Sequence, residues 1–294
     1  MLRSEIDVLT PQSLDEALNI LHQGQAGLKI VAGGSDVIIQ LRDGVLRANK
    51  LLNILPLKEL RFIKKNSHRI HIGSLATYSD IINSQLTRDS AWILVEAAKQ
   101  IGAVQLQNTA TIGGNLGNAS PAGDSLPPLY ALDAVVVTRS KTGKRETPIE
   151  QFFVAYRKTA LRSDELIEEV YFNAMNSKDR GAYTKLGLRE ANAISIVDVA
   201  AALRGRSSHE SFAEARVALG AVAPMITRAR KSEKALTNAP LNEATMWKAA
   251  TLAAEDASPI DDIRGSAEYR KDAVVSSVYQ ALYEAVYGRR KKHG

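Results

Sequence analysis

The chain has 294 residues, is 45% hydrophobic and 24% charged, and carries a net charge of +6 with no cysteine. That length exceeds one average domain and predicts two or three folded units. The absence of cysteine excludes disulfides, a thiolate nucleophile and any Cys-held zinc or iron–sulfur cluster in this chain. No apolar run reaches bilayer-spanning length, and 5% aromatics with none among basic residues argue against a nucleic-acid stacking surface.

The first residues lack the basic-then-apolar pattern of a secretory signal, so the cytoplasm is the expected compartment. Residues 11–21 read as a helix. Ser13 stands at its N-cap with Glu16 three residues on, and Leu14, Ala17, Leu18 and Leu21 recur at helical spacing. Gly24 and Gly27 stop it. Residues 28–32 read as a buried strand running into Gly33-Gly34-Ser35-Asp36, with the apolar run 37–41 beyond. A glycine loop at a strand end is a common ligand site in α/β architectures, and Ser35 or Asp36 is placed to cap a following helix. An ordinary strand–turn–helix corner is the plainer reading.

Residues 50–54 predict a strand, 57–60 a helical turn, and 62–65 with 69–73 a β-hairpin. His68 and His71 lie in that hairpin without an acidic or histidine cluster and read as surface residues. Thr77 opens another capped helix. Residues 91–101 predict a helix with Trp92, Val95, Ala98 and Ile101 on one face.

The organising stretch is 109–124, Thr-Ala-Thr-Ile-Gly-Gly-Asn-Leu-Gly-Asn-Ala-Ser-Pro-Ala-Gly-Asp. It is lean in large side chains, as suits a backbone that must approach something closely. Gly113-Gly114 can turn successive N–H groups inward, the concave arrangement that holds anions. A cofactor diphosphate is the expected anion; a tight turn in a crowded core is the alternative.

Beyond it, a strand at 134–138, a turn at 141–144, a short helix from 147 and a strand at 165–172 are predicted. The polar segment 173–180 marks a boundary. Strands at 181–188, 194–203 and 215–223, with a turn at 204–210, precede helices at 227–236, 242–254 and 266–287. Strands followed by helices predict a sheet backed by helices. The basic tail, 289–294, reads as a solvated end.

Walker A, G-x-G-x-x-G, H-E-x-x-H and G-x-S-x-G patterns are all missing. Two glycine loops with few acid–base groups and no metal cluster suit a protein whose chemistry belongs to an organic cofactor.

Ala32-Gly33-Gly34-Ser35-Asp36 and Gln105-Leu106-Gln107-Asn108-Thr109-Ala110-Thr111-Ile112-Gly113-Gly114-Asn115, continuing to Asp124, resemble the FAD-binding medium subunit of the molybdenum hydroxylases. This is the xanthine dehydrogenase, carbon monoxide dehydrogenase and aldehyde oxidase family. Residues 218–224 and 262–270 resemble its third domain. The resemblance implies an α+β fold: a two-subdomain FAD-binding domain of the vanillyl-alcohol-oxidase/PCMH type over 1–176, divided at about 57/58, then a small α+β domain over 181–288.

By position, Lys29, Ile30, Val31, Ala32, Gly33, Gly34, Ser35 and Asp36 would form one FAD loop, and Ala110, Thr111, Ile112, Gly113, Gly114 and Asn115 the other. Asp124, Ile101, Leu166 and Lys185 match further FAD contacts, although Ile101 and Leu166 read equally as core and Lys185 as a solvent-facing strand lysine. A cation near a reduced flavin stabilises its anion. No catalytic residue and no metal ligand is expected in this chain. Gln107 departs from the Arg of many relatives. Ser35, where some distant oxidases have His, removes the histidyl–flavin link, so FAD is expected to be non-covalent.

The implied role is an electron-transfer flavoprotein subunit. It takes electrons from the 2Fe-2S clusters of a small partner, beside a large molybdopterin subunit, and passes them to NAD or another acceptor. A self-contained flavin oxidoreductase and a non-catalytic dinucleotide-binding module are the alternatives.

Overall fold

The computed structural model describes residues 6–206 and 211–288. The expectations for the N-terminal five residues, for most of the turn at 204–210 and for the basic tail fall outside the described residues.

The described residues form three larger sheets and one two-stranded hairpin, and the first of the larger sheets is parallel. It comprises β1 (Asp7–Leu9), β2 (Leu28–Val31) and β3 (Lys50–Asn53) in the order β1-β3-β2. Helix α1 (Leu14–His22) links β1 to β2, and Ser13 caps it by accepting the Glu16 N–H at 3.2 Å. The Glu16 carboxylate returns to the N–H of Gln12, at 2.7 Å, one residue earlier than a capping box requires. Ala17, Leu18 and Leu21 share a core with Leu52, Ile54, Leu60 and Leu75. Strand alternation sends Val31 and Leu51 to the other face, where they meet Leu41 of α2 (Val37–Arg42).

The second sheet is antiparallel. It contains β4 (Ile63–Asn66), β5 (Arg69–Gly73), β6 (Val135–Ser140) and β7 (Gly143–Pro148). After the small hairpin of β8 (Phe153–Ala155) and β9 (Lys158–Thr159) comes β10 (Leu166–Asn173), and the order is β4-β5-β10-β6-β7. Between β5 and β6 run α3 (Tyr78–Asn83), α4 (Gln85–Ser90), α5 (Trp92–Ala98), α6 (Val104–Thr109), α7 (Ile112–Asn118) and α8 (Leu126–Ala131); α9 (Ile149–Phe152) follows β7. Ile70, Ile72, Val136 and Val170 of the sheet share one core with Tyr78, Ile93, Ile112 and Leu129 of the helices.

Helix α3 starts with a full capping box: the Asp80 N–H reaches Thr77 Oγ1 at 3.1 Å and the Thr77 N–H reaches Asp80 Oδ2 at 2.9 Å. Thr77→Ala is therefore expected to destabilise the protein by about 1 kcal/mol, read as a lowered urea midpoint with an unchanged slope.

Three expectations need correction. The helix read over 91–101 stops at Ala98, and Ile93, Leu94 and Ala97 are as buried as Val95 and Ala98. It is wedged between its own domain and the third sheet, where Trp92 Nε1 donates to the Gly181 carbonyl at 3.0 Å. The lean stretch read as a bend forms α7, with α6 just before it. Glycine disfavours helix, but fully buried Ile112 and Leu116 and the Thr111 cap hold it. His71 is half-buried, with Nδ1 3.1 Å from Glu169 Oε1 and its ring stacked on Tyr171.

The third sheet is antiparallel: β11 (Arg180–Gly187), β12 (Ser195–Arg206), β13 (Phe212–Gly220) and β14 (Thr227–Arg228). Helices α10 (Arg230–Leu236), α11 (Glu243–Ala253) and α12 (Ala267–Tyr287) follow it. The strand read at 215–223 begins and ends three residues earlier, and residues 227–228 pair with β13 before the helix starts. One face of this sheet, with Val197, Val199, Val217 and Leu219, packs on Met246, Val274 and Val278 of the helices. The other face, with Tyr183, Ala200 and Ala218, completes the core of the second sheet. It therefore presents every second residue of β11 and β12 toward the helices that follow β5. Among the described residues, no helix is long and apolar enough to cross a membrane.

Candidate cofactor site

The two glycine segments meet along one seam. The Asn118 amide donates to Asp36 Oδ1 at 2.8 Å, and Gln40 Nε2 donates to Asn118 Oδ1 at 2.9 Å. Gly33 lies flat against the Thr109 carbonyl, where an added Cβ would come within 1.8 Å of the oxygen. Only a glycine allows that approach. Gly34 follows at φ 75°, in the left-handed region.

Main-chain amides divide unequally across the seam. Among the described residues, nothing in the protein accepts from the N–H groups of Gly33, Gly34, Ser35 or Asp36. In the second segment the N–H of Ile112 goes to Ala76, that of Gly113 to Ser74 at 2.9 Å, that of Gly114 to Thr111 Oγ1 at 3.1 Å, and that of Asn115 to Thr111. The expectation that both segments offer a nest of amides is thus corrected. The first segment offers amides; the second offers a surface without side chains. Gly114 and Gly117 are exposed on α7, and an added Cβ meets only Thr111 Oγ1 (3.0 Å) and Ile167 Cδ1 (3.8 Å) respectively. The Asn115 side chain turns inward and accepts from Ser125 Oγ at 3.0 Å, which in turn contacts the Tyr78 hydroxyl.

A cavity of about 210 Å³ opens at the seam, walled by Gly33, Leu55, Arg61, Thr77 and Asn108 among others. Arg61 holds Asp80 in a two-pronged pair at 2.8 and 2.9 Å. Arg61 and Asn108 were not singled out from the sequence, because neither carries a motif and their shared position is purely tertiary. A second cavity, of about 490 Å³, is walled by Gln100, Lys185, Gly187, Arg189 and Glu190 among others.

Lys185 is not a solvent-facing strand lysine. Its side chain is only 6% exposed, and Nζ donates to Asp124 Oδ2 at 2.7 Å and to the Gln100 carbonyl at 3.0 Å. Asp124 also accepts from Ser195 Oγ at 2.6 Å and from the Tyr183 hydroxyl at 3.3 Å. Burial pushes the Asp124 carboxyl up, against the opposing pull of Lys185 and the hydroxyl donors. Tyr183, Ser195 and Asp198 were missed in the sequence. The available signal was polar side chains within otherwise apolar strands.

Of the remaining expected contacts, Ile101 is half-buried just beyond α5. Gln107 Nε2 donates to the carbonyls of Ile101 and Lys99, at 3.1 and 3.2 Å, so Gln107 pins the chain beside the larger cavity. Leu166 is fully buried in the core with Leu60 and Leu75 and presents no side chain to either cavity. Lys29, Ile30, Val31 and Ala32 form and end β2, and only Val31 is buried. Ala110 is half-buried, while Thr111 and Ile112 are buried. The described residues contain no cluster of three or more His, Asp or Glu fit to hold a metal ion.

These residues fit a nucleotide diphosphate. Unengaged amides of one segment stand beside a helix face stripped of side chains, and any Cβ at Gly33 would close the approach.

Comparison with known proteins agrees with that chemistry. Residues 4–172 match the FAD-binding domain of molybdopterin dehydrogenases, and residues 182–285 match the CO dehydrogenase flavoprotein C-terminal domain. The chain is 31% identical to the nicotinate dehydrogenase FAD-subunit of Eubacterium barkeri, over 95% of both chains. It is 32% identical to a putative xanthine dehydrogenase FAD-binding subunit of Escherichia coli K12, over 93% of this chain and 94% of that one. Among solved structures it superposes on a chain of the carbon monoxide dehydrogenase from Hydrogenophaga pseudoflava with a TM-score of 0.93 at 28% identity, covering 97% and 98% of the two chains. The chain belongs to the FAD-binding, or medium, subunits of the molybdenum hydroxylase and xanthine dehydrogenase family of oxidoreductases.

Proposed function

We propose that this chain is the electron-relay subunit of a cytoplasmic molybdenum hydroxylase. The chain would hold FAD between 2Fe-2S clusters of a small partner subunit, beside a large molybdopterin subunit, and an acceptor that is NAD or another oxidant. We assign FAD binding to residues 1–176, and to 181–288 a domain that closes over that site. The observation that carries the reading is the seam: Gly33 against Thr109, bonded through Asp36, Asn118 and Gln40, with free amides on one side and bare glycines on the other.

When bound, FAD supplies reversible one- and two-electron transfer. The chain itself binds and positions. The amides of Gly33, Gly34, Ser35 and Asp36, which no protein group engages among the described residues, would hold the diphosphate, and the bare glycines of α7 would let it approach. Ala32, Ala110 and Thr111 shape the seam. Lys185, fixed by Asp124 and the Gln100 carbonyl, sets a cation at the larger cavity, with Ile101 one residue from Gln100; Leu166 serves instead in the core with Leu60 and Leu75. With Ser35 standing where a histidyl–flavin link would need His, FAD would be held non-covalently.

Gly114→Val tests the reading. The valine methyls extend over the open face of α7, while its Cβ asks Thr111 Oγ1 to yield by a few tenths of an ångström. The variant is expected to lose at least tenfold in FAD affinity and to melt within about 3 °C of the parent. Flavin absorbance per protein and a fluorescence titration with FAD provide the check. A variant that keeps its yellow colour at full occupancy would remove the diphosphate from this face. Copurification of the chain with a molybdopterin subunit and an iron–sulfur subunit tests the relay.

A further inference from the structure

A buried hydrogen-bond chain leads from Lys185, at the larger cavity, into the third sheet. Asp124 Oδ1 lies 3.3 Å from the Tyr183 hydroxyl, and that hydroxyl lies 3.2 Å from Asp198 Oδ2. Tyr183 and Asp198 are sealed from solvent, and Asp198 Oδ1 has no partner among the described residues. Lys185 stands opposite Asp198 in the β11–β12 register, so both side chains leave the same face of the sheet.

The protons can be counted. One hydroxyl carries one proton and donates to one carboxylate. Were both aspartates ionised, the Tyr183 oxygen would face one carboxylate oxygen with no proton between them. One lysine would also have to neutralise two buried carboxylates. A proton on Asp198 Oδ2 resolves both problems: Asp198 donates to Tyr183, and Tyr183 donates to Asp124. Asp124, which also receives Ser195 and Lys185, is then the ionised member. A proton on Asp124 instead would deprive Lys185 of its closest counter-charge and leave ionised, fully buried Asp198 with only the Tyr183 hydroxyl and its own backbone N–H donating to it among the described residues.

The surroundings favour the same assignment. β11 contributes Tyr183 and Lys185. The segment before α8 contributes Asp124. β13 contributes Gly220, whose missing side chain makes the room, since a Cβ there would come within 2.3 Å of Asp198 Oδ1. Arg264 is bound to Asp262 and, at 3.1 Å, to the Ser195 carbonyl, and makes no bond to Asp198. Burial, then repulsion from Asp124, pushes the Asp198 carboxyl up to about 8.

We propose that Asp198 is held as a neutral carboxylic acid which, through Tyr183, keeps Asp124 ionised and aimed at Lys185. It is a positioning residue for the flavin site and touches no cofactor atom. Its protonation stands on the hydrogen bonds alone; only its consequence for the flavin rests on the function proposed above.

The test uses the full chain stripped of flavin. Infrared spectra at neutral pH, in H2O and D2O, should show a carboxylic acid C=O band that fades as pH passes about 8. From about pH 6 upward, where ordinary carboxyls are ionised, the band should be missing from Asp198→Asn, which keeps the shape and still donates to Tyr183. The folded state then binds a proton that the unfolded chain releases above about pH 4. Wild-type melting temperature should therefore fall as pH rises from about 4 to about 8, beyond the fall seen in Asp198→Asn. Tyr183→Phe should keep the band and move it to higher wavenumber. In the flavin-loaded protein, raising the pH past this point should lower the flavin midpoint potential more in wild type than in Asp198→Asn. An infrared band at neutral pH that survives Asp198→Asn, or identical melting profiles in the two proteins, overturns the assignment. A protein that shows the band but binds no FAD overturns only the flavin reading.

Discussion

Gly33→Val is expected to open the seam, abolish flavin retention and lower stability by about 3 kcal/mol, the upper end of overpacking effects. The new Cβ would sit 1.8 Å from the Thr109 carbonyl oxygen and 2.7 Å from its carbon. Both atoms are backbone, so no side chain can rotate away. Relief requires the segment after β2 to part from α6 by more than an ångström. That motion strains the Asn118 bonds to Asp36 and Gln40, and widens the cavity that Gly33 and Thr109 share. For a chain of this size, about 3 kcal/mol corresponds to a melting temperature lower by roughly 5 °C. Gly33→Ala carries the same Cβ and should do nearly as much. Gly24→Ala is the control: nothing lies within 4 Å of its Cβ, so only its positive φ of 65° is strained. The contrast with Gly114→Val separates architecture from ligand space, because both variants lose flavin but only Gly33→Val loses stability. A Gly33→Ala protein that melts with wild type and stays yellow would show that the approach of the two segments does not build the site.

The first segment was legible because its information is local. An apolar strand at 28–31 runs into two glycines and a helix start, and the structure keeps that order. The second was legible as important but not as what it is. Its glycines argue against a helix, and only burial of Ile112 and Leu116 makes one. The fate of its amides was invisible. Gly113 gives its N–H to Ser74, and no local pattern announces a partner that far back in the chain. The same holds for Lys185. Its strand position was plain, but its pairing with Asp124, 61 residues away, is a product of the third sheet packing on the helices. Family resemblance placed both residues at the site without saying that they hold each other. Tyr183 and Asp198 left a fainter mark, as polar groups among alanines and valines whose inward direction depends on which face the sheet buries.

Asp124→Ala should be the most damaging single change at the cavity itself. It removes the acceptor of three donors at once: Lys185, Ser195 and Tyr183. Lys185, at 6% exposure, keeps only the Gln100 carbonyl and stands as an uncompensated charge. Breaking a buried pair from one side destabilises by about 3–5 kcal/mol, so a melting temperature lower by roughly 5–8 °C is expected. Lys185→Met should do less, because Asp124 keeps two hydroxyl donors and methionine fills the volume of the lysine stem. Combining the two should recover part of the loss, leaving the double variant more stable than Asp124→Ala alone by about 1–3 kcal/mol, the range of contacting pairs in double-mutant cycles. Flavin retention need not follow the same order. The double variant restores packing without restoring the cation, so a protein that is stable again yet reduces its flavin at a lower potential would isolate the electrostatic role of Lys185. If instead Asp124→Ala melts like wild type, Lys185 has found water, and the pair is not the buried clamp that its exposure and its 2.7 Å contact describe.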